Sequence, residues 1–176
     1  MIETARLLLR WPEPQDFAAR AATFADRETM ALFGPGQDED GVRADLARHA
    51  SYHPQGLGFW SVLERESGAW VGFCGLKPGA PDTPIEREIE VGWLIARSRW
   101  GRGYATEAAR AALDHAWRAF DARRAVAIVA RPNAPSHAVA IRLGMQRLPA
   151  LDFLHPKIDP TDPLAAMNVY AIDRPA

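Results

Sequence analysis

The stretch "ARSRWGRGYATEAARAAL", residues 96–113, sets two glycines one residue apart between a strand-like run and an alanine-rich helical run. A loop that passes from a strand into a helix leaves the first N–H groups of the helix unpaired, with the positive end of the helix dipole behind them. Such a hinge attracts anions. Gly101 and Gly103 keep side chains off the backbone where a bulky phosphate would lie, and they allow the dihedrals of a tight phosphate loop. Arg97, Arg99 and Arg102 add positive charge, so a pyrophosphate is the natural guest.

The best-known phosphate loops fit poorly. A nucleotide-hydrolysing P-loop needs Lys-Ser or Lys-Thr after its second glycine, where this chain has Tyr104-Ala105. A dinucleotide fold wants G-x-G-x-x-G directly after its strand. Here Thr106 holds the third position, "ARSRW" intervenes, and Arg131 rather than an acid follows the next strand. Arg131 would suit only a phosphorylated ribose, which leaves an NADP-linked reductase as a distant alternative. His49 and His53 stand four apart on a helical segment without a third ligand at recognisable spacing, and His115, His137 and His155 are scattered, so no metal is expected. Adjacent Ser136 and His137 make no triad, and no G-x-S-x-G elbow exists.

Composition bounds the rest. With 176 residues, 48% of them apolar, the chain can bury a sizeable core and fits one domain, 1–176, better than two. A net charge of −1, from 21 basic and 22 acidic residues, supplies no global field for nucleic acid or anionic lipid. Cys74 is the only cysteine, which rules out an intrachain disulfide or a cysteine-zinc cluster and suits a reduced compartment. The opening "MIETARLLLRW" is broken by Glu3, Arg6 and Arg10, and no later run reaches about 18 apolar residues. A cytoplasmic protein with no membrane or nucleic-acid partner is expected.

The elements that must position the hinge follow from periodicity. "RLLLRW" (6–11) reads as a first strand, and helical spacing runs from Asp16 to Phe24. "LFGPGQDEDG" (32–41) is a turn-rich loop, after which Val42, Leu46 and Ala50 mark a second helix. "FWSVLE" (59–64) and "AWVGFCGL" (69–76) form a hairpin across "RESG". In "IEREIEVGWLI" (85–95) Glu86, Glu88 and Glu90 share one strand face and Ile89, Val91 and Trp93 the other. Beyond the hinge, Ala105, Ala109, Ala112, Leu113, Ala116 and Phe120 form a helical stripe ending near Asp121. "AVAIVA" (125–130) is a buried strand suited to parallel pairing with the strand before the hinge. "RPNAPSHAVAIRLGM" (131–145) runs into a short helix capped by Gly144, and "LDF" with "MNVYAI" predicts a last hairpin around "HPKIDPTDP".

Two ordered motifs carry a family resemblance. "WGRGYA" is similar to Gln/Arg-x-x-Gly-x-Gly/Ala, with Gly103 and Ala105 in the small positions and Trp100 replacing Gln or Arg. "NAPSHAVAIRLGM" is similar to N-x-x-S-x-x-V-x-x-x-x-G-F, with Asn133, Ser136, Val139 and Gly144 in register and Met145 in place of the aromatic. Both belong to the GNAT acetyltransferases, and "TARLLLRWPEPQDF" and the 59–76 hairpin most resemble the RimJ/RimL-like branch of ribosomal-protein acetyltransferases, so the likeness spans nearly the whole chain.

That resemblance implies an α/β GNAT acyl-CoA N-acyltransferase fold, with a mixed, mostly antiparallel central sheet, splayed central parallel strands and flanking helices. It implies acetyl-CoA as cosubstrate, without a metal. Cofactor contacts are expected from Trp93, Leu94 and Ile95 on the splayed strand, from Arg97, Arg102, Gly103, Tyr104, Ala105 and Thr106 at the hinge, and from Asn133 and Ser136. The acceptor is a primary amine, on a small molecule or a protein N-terminus, attacking directly in a ternary complex. Because such an amine is mostly protonated near neutral pH, a carboxylate must take its proton. Glu90 in "EVGW" matches the family's E-I-G-Y strand and is the first choice, with Glu88 on the same face; the alternative is that these acids form a solvated strand face. Ser136 is the candidate donor to the thiolate, Tyr170 a weaker one, and Trp60 and Trp93 are placed near the acceptor cleft. Specificity falls to the 15–53 helices and the 146–176 hairpin, and the protein is a monomer or homodimer. A non-catalytic acyl-CoA sensor on the same scaffold is the alternative.

Overall fold

A computed structural model describes residues 1–175. In chain order the strands and α-helices are β1 (Ile2–Glu3), β2 (Leu7–Arg10), α1 (Phe17–Ala25), α2 (Arg27–Met30), α3 (Glu39–Ala50), β3 (Gly58–Glu64), β4 (Trp70–Pro78), β5 (Ile89–Ile95), α4 (Tyr104–Ala119), β6 (Arg124–Ala130), α5 (Ala134–Arg142), β7 (Gln146–Arg147), β8 (Phe153–Leu154) and β9 (Ala166–Asp173). The sheet runs β1-β2-β3-β4-β5-β6-β9-β7, with β8 also on β9, and every pairing is antiparallel except that of β5 with β6. This is the mixed, mostly antiparallel α/β sheet flanked by helices that the resemblance implied.

The parallel pair is short. β5 matches β4 along its whole length, from Ile89↔Pro78 to Ile95↔Gly72. It meets β6 only at Ile89↔Ala125 and Glu90↔Val126, and β6 continues instead with β9 as far as Ala130↔Met167. Beyond Glu90 the two central strands part.

Alternation along β5 sorts the layers. Val91, Trp93 and Ile95 join the core under α4, whose buried face is largely alanine from Ala108 to Ala116, so the helix axis lies close to the sheet. Cys74, fully buried on the neighbouring strand, pairs with both Trp60 and Trp93, and burial pushes its thiol far above its ordinary pKa. Leu94 points the other way and packs with Phe24, Met30, Val42, Phe59 and Phe73 beneath α1 to α3.

Three local differences from the periodicity reading have physical causes. The expected strand from Ile85 starts at Ile89, because Glu86 N–H bonds Thr83 O and Glu88 N–H bonds Ile85 O, making turns that bury Ile85 beside Val126 and Val169. Glu86 and Glu88 therefore do not continue the Glu90 face, and Glu88 pairs with Arg124 instead. A single-turn α2, capped by Asp26 through the Glu28 and Thr29 amides, fills part of the helical segment, and the two-residue strands β1 and β7 are too short to leave a pattern.

Buried charge ties the helical layer to the sheet. Asp16, 5% exposed, accepts from Arg10 at 2.7 and 2.9 Å, from the Glu13 amide at 2.9 Å and from Ser61 Oγ at 2.7 Å. On α3, Asp45 accepts from Arg20 of α1 at 2.6 Å and lies 3.6 Å from His49 Nε2. Burial alone would push both carboxyls up, but the hydrogen bonds from Arg10 in one case, and in the other the nearby His49 and the Arg20 hydrogen bond, outweigh it and hold them below the usual range. Each therefore contributes stability that is full above the unfolded-state value, about pH 4, and is lost as pH falls through the lower folded value. Replacing Asp16 with Asn strands Arg10 and is expected to cost about 3 kcal/mol. Urea unfolding at pH 7 and pH 3 checks this: the gap between wild type and variant should narrow at the lower pH, and a constant gap would refute it.

Candidate functional site

The hinge adopts the geometry its glycines allow. Gly101 and Gly103 have φ of +75° and +78°, in the left-handed region, and a Cβ on Gly101 would meet nothing within 4 Å. It is backbone conformation rather than crowding by protein atoms that requires glycine here. Gly103 is the N-cap of α4 and supplies no side-chain cap. Helices α2, α3 and α5, by contrast, are capped by Asp26, Asp38 and Asn133. Among the described residues the six consecutive amides from Gly101 to Thr106 have no acceptor; the first one used is Glu107 N–H, which bonds Gly103 O at 3.1 Å.

An acid so close to this helix start would repel an anion, and the fold neutralises it. Glu107 accepts from Arg6 Nε at 2.7 Å, from the Arg6 amide at 3.0 Å and from Thr4 Oγ1 at 2.6 Å. Arg6 also donates to Arg102 O at 2.9 Å, stapling the loop to the chain before β2.

Gly101 and Gly103 to Thr106, five of these six residues, line a cavity of about 1210 Å³ running between α4 and α5. Its wall includes Trp93 and Ile95 of the parted strand, Gly103 to Thr106, Asn133 and Ser136. A second cavity, of about 710 Å³, lies on the opposite face of the sheet beneath α1 to α3 and includes Glu90, Lys77 and Leu94. Leu32, Phe33, Trp93, Asn133 and Ser136 line both, so the two meet where β5 and β6 separate. Past Glu90, backbone groups of β5 directed away from β4 face this junction without a strand partner among the described residues.

Glu90 is buried, 5% exposed, on the second-cavity wall, and its carboxylate is bound by Lys77 Nζ. This is not a solvated strand face. Ser136 is 8% exposed at the junction, and its hydroxyl has no hydrogen-bond partner among the described residues. Capping of α5 falls to Asn133, whose Oδ1 accepts from Ser136 N–H at 3.1 Å and whose Nδ2 donates to Leu32 O at 3.0 Å. Asn133 thus locks the start of α5 to the loop after α2.

Several sequence expectations move. Arg97 turns away from the hinge and pairs with Asp26 at 3.4 Å and Glu28 at 2.8 Å beside a different cavity. Arg102 is half-exposed, 3.9 Å from Glu64, so its guanidinium lies at the rim. Arg99 does line the groove, 3.4 Å from Glu64. Tyr104 is buried and donates its hydroxyl to Glu64. Leu94 lines the second cavity rather than the first. Tyr170 bonds His137 Nδ1 at 3.0 Å and lines neither cavity, and Trp60 packs between Trp11 and His115 in the core under α4. Both carry polar or aromatic types at plausible positions, but strand parity aims them elsewhere. Sequence reasoning missed Lys77 and Arg6; each is recognisable only through its partner, in Glu90 across the β4–β5 register and in Glu107 about 100 residues away.

Residues 6–146 match the family described as Acetyltransferase (GNAT) domain. The Bacillus subtilis protein named uncharacterized N-acetyltransferase YnaD is 34% identical over 147 residues, 83% of this chain and 82% of its own. The structure of an acetyltransferase from Agrobacterium tumefaciens superposes with a TM-score of 0.80 at 29% identity, covering 98% of this chain and 94% of that one. The same fold occurs in a RimL ribosomal alpha-N-protein acetyltransferase in complex with coenzyme A (TM-score 0.76, 19% identity, 97% and 95% covered). It occurs also in a spermidine N-acetyltransferase from Vibrio cholerae in complex with coenzyme A and spermine (TM-score 0.74, 18% identity, 97% and 96% covered).

Because Asn133 satisfies two backbone groups, Asn133→Ala is expected to lower stability by about 1–2 kcal/mol. Chemical denaturation checks it: an unchanged midpoint would show that neither the cap nor the Leu32 tether matters.

Proposed function

The chain belongs to the GNAT acetyltransferase family, and on that premise we propose that it transfers acetyl from acetyl-CoA to a primary amine by direct attack in a ternary complex. The observation that carries this reading is the run of six acceptor-free amides, five of them from residues lining a groove that meets a second, acid-bearing cavity at a fork between strands. Long, phosphorylated coenzyme A suits the first space, and an amine suits the second.

The residues fit the coenzyme's parts. Amides at the start of α4, with the helix dipole behind them, hold the diphosphate, and Arg99 adds charge beside them. The pantetheine arm follows the free edge of β5 from Ile95 to Trp93, where unpaired backbone groups can bond its amides and polarise the thioester carbonyl. Asn133 acts here as a support, since its amide is committed to the chain. Arg97 has no part.

In the transfer, the amine nitrogen bonds to the carbonyl carbon, the carbon–sulfur bond breaks, and coenzyme A leaves as thiolate. Glu90, at the junction side of the second cavity, takes the ammonium proton directly or through water. Lys77, bound to the carboxylate, fixes its position. The Ser136 hydroxyl, free of other partners, faces the place where sulfur departs; it gives its proton to the thiolate and takes the second proton that nitrogen sheds as the amide forms, directly or through water, so that amide and coenzyme A thiol result. Bringing the two reactants together at the fork supplies much of the rate, because it converts encounter in solution into reaction within one site. The chain acts as one catalytic domain, and no helix among the described residues is long and apolar enough to cross a membrane.

Gly103→Asp should abolish coenzyme A binding in calorimetry, through a carboxylate at the phosphate site and a side chain at φ +78°; retained affinity would remove the hinge from the reading. Glu90→Gln should lower kcat by about a hundredfold or more while leaving acetyl-CoA affinity within a few-fold. Thiol release at saturating amine measures it, and wild-type turnover would remove Glu90 as the proton acceptor.

A further inference from the structure

Resting on the proposed amine-acetylating site, we propose that the acceptor is a monoamine with an aromatic or bulky apolar body and no second positive charge. Two features of the second cavity carry this. One is its charge. Its carboxylates among the described residues are Asp45 and Glu90, and both are committed: Asp45 to Arg20, Arg48 and His49, Glu90 to Lys77. Lys157 adds another cation to the wall. A single ammonium can share Glu90 with Lys77 and is then neutralised by losing its proton. A second ammonium would find no uncommitted carboxylate on this wall and would face Arg48, Lys77 and Lys157, so moving it there from water is unfavourable.

The other feature is the floor. His49, Phe59, Phe73 and Phe24 form one stacked series, with centroids 4.1 Å apart for His49–Phe59, 5.4 Å for Phe59–Phe73 and 5.8 Å for Phe73–Phe24. The Arg20 guanidinium lies 4.1 Å from the Phe73 centroid and holds the far end. Gly92 admits this series to the fork, since a Cβ there would come within 2.7 Å of the Phe59 ring. Met30, Phe33 and Met167 close the sides with apolar, adaptable surface. About 710 Å³ is in the range of pockets that enclose small organic molecules, enough for a body of one or two rings. Such a body gains by leaving water, whereas an extended polyamine would bury methylenes but strand its charges.

The required chemistry, an amine beside an aromatic ring, is shared by free arylalkylamines and by peptides with an aromatic N-terminal residue. Calorimetric titration of the coenzyme-A-saturated protein with phenethylamine, spermidine and the tripeptide Phe-Gly-Gly separates them. Phenethylamine or the tripeptide is expected to bind at least about tenfold more tightly than spermidine. The tighter of the two identifies the source, and either order supports the inference. Spermidine binding as tightly as both, or more so, overturns it. Thiol release from acetyl-CoA, followed with the same three amines, tests the transfer reading separately. An amine that binds without releasing thiol counts against transfer, while preferential acetylation of spermidine counts only against the acceptor assigned here.

Discussion

A strand can serve two neighbours only while all three stay in register, and β5 does so for two residues. From Val91 onward it keeps β4 and loses β6, while β6 stays with β9 through seven matched positions from Arg124 to Ala130. The proposed chemistry depends on that parting. It exposes backbone polar groups that elsewhere in a sheet would be paired, and an unpaired buried amide is costly unless something comes to meet it. It also joins two cavities on opposite faces of the sheet, which an unbroken sheet would separate. The hinge into α4 extends the same theme, with six further amides left open by a chain that caps its other long helix, α3, with Asp38.

The remaining structure stabilises this unpaired centre. Arg6 reaches from the β1–β2 turn to neutralise Glu107 and hold the hinge by the Arg102 carbonyl. Asn133 fixes α5 against the Leu32 loop. Asp16 and Asp45 join the helical layer to itself and to the sheet through buried, fully engaged carboxylates. Their side chains are committed to other parts of the chain, and so they act as supports.

How much of this was legible in the sequence varies with the range of the interaction. The hinge, its two left-handed glycines, the strand before it and the helix after it are local, and residue type with spacing was enough to find them. The parallel pairing of 125–130 with the preceding strand followed from its unbroken apolar run. Side-chain direction at longer range was less accessible. Arg97 stands only four residues before Gly101, but the 3-10 turn at Arg97–Arg99 aims it at Asp26 and Glu28, on another face. Glu88 looked like a companion of Glu90 by alternation, which fails where the strand gives way to turns at Thr83 to Glu88. Lys77, Arg6 and the Asn133 tether involve partners brought together only by the fold, and no spacing rule reveals them.

The position of Cys74 bears on how this protein meets redox chemistry. The proposed reaction would liberate one free thiol per turnover, and a reactive cysteine near the groove would invite capture of the spent coenzyme as a mixed disulfide. Here the sole sulfhydryl lies fully enclosed between two tryptophan-bearing strands, with its ionisation strongly suppressed by burial. Disulfide-based colour reagents would therefore report a liberated coenzyme thiol while leaving the folded protein unlabelled, and thiol oxidation offers no route to shutting it down.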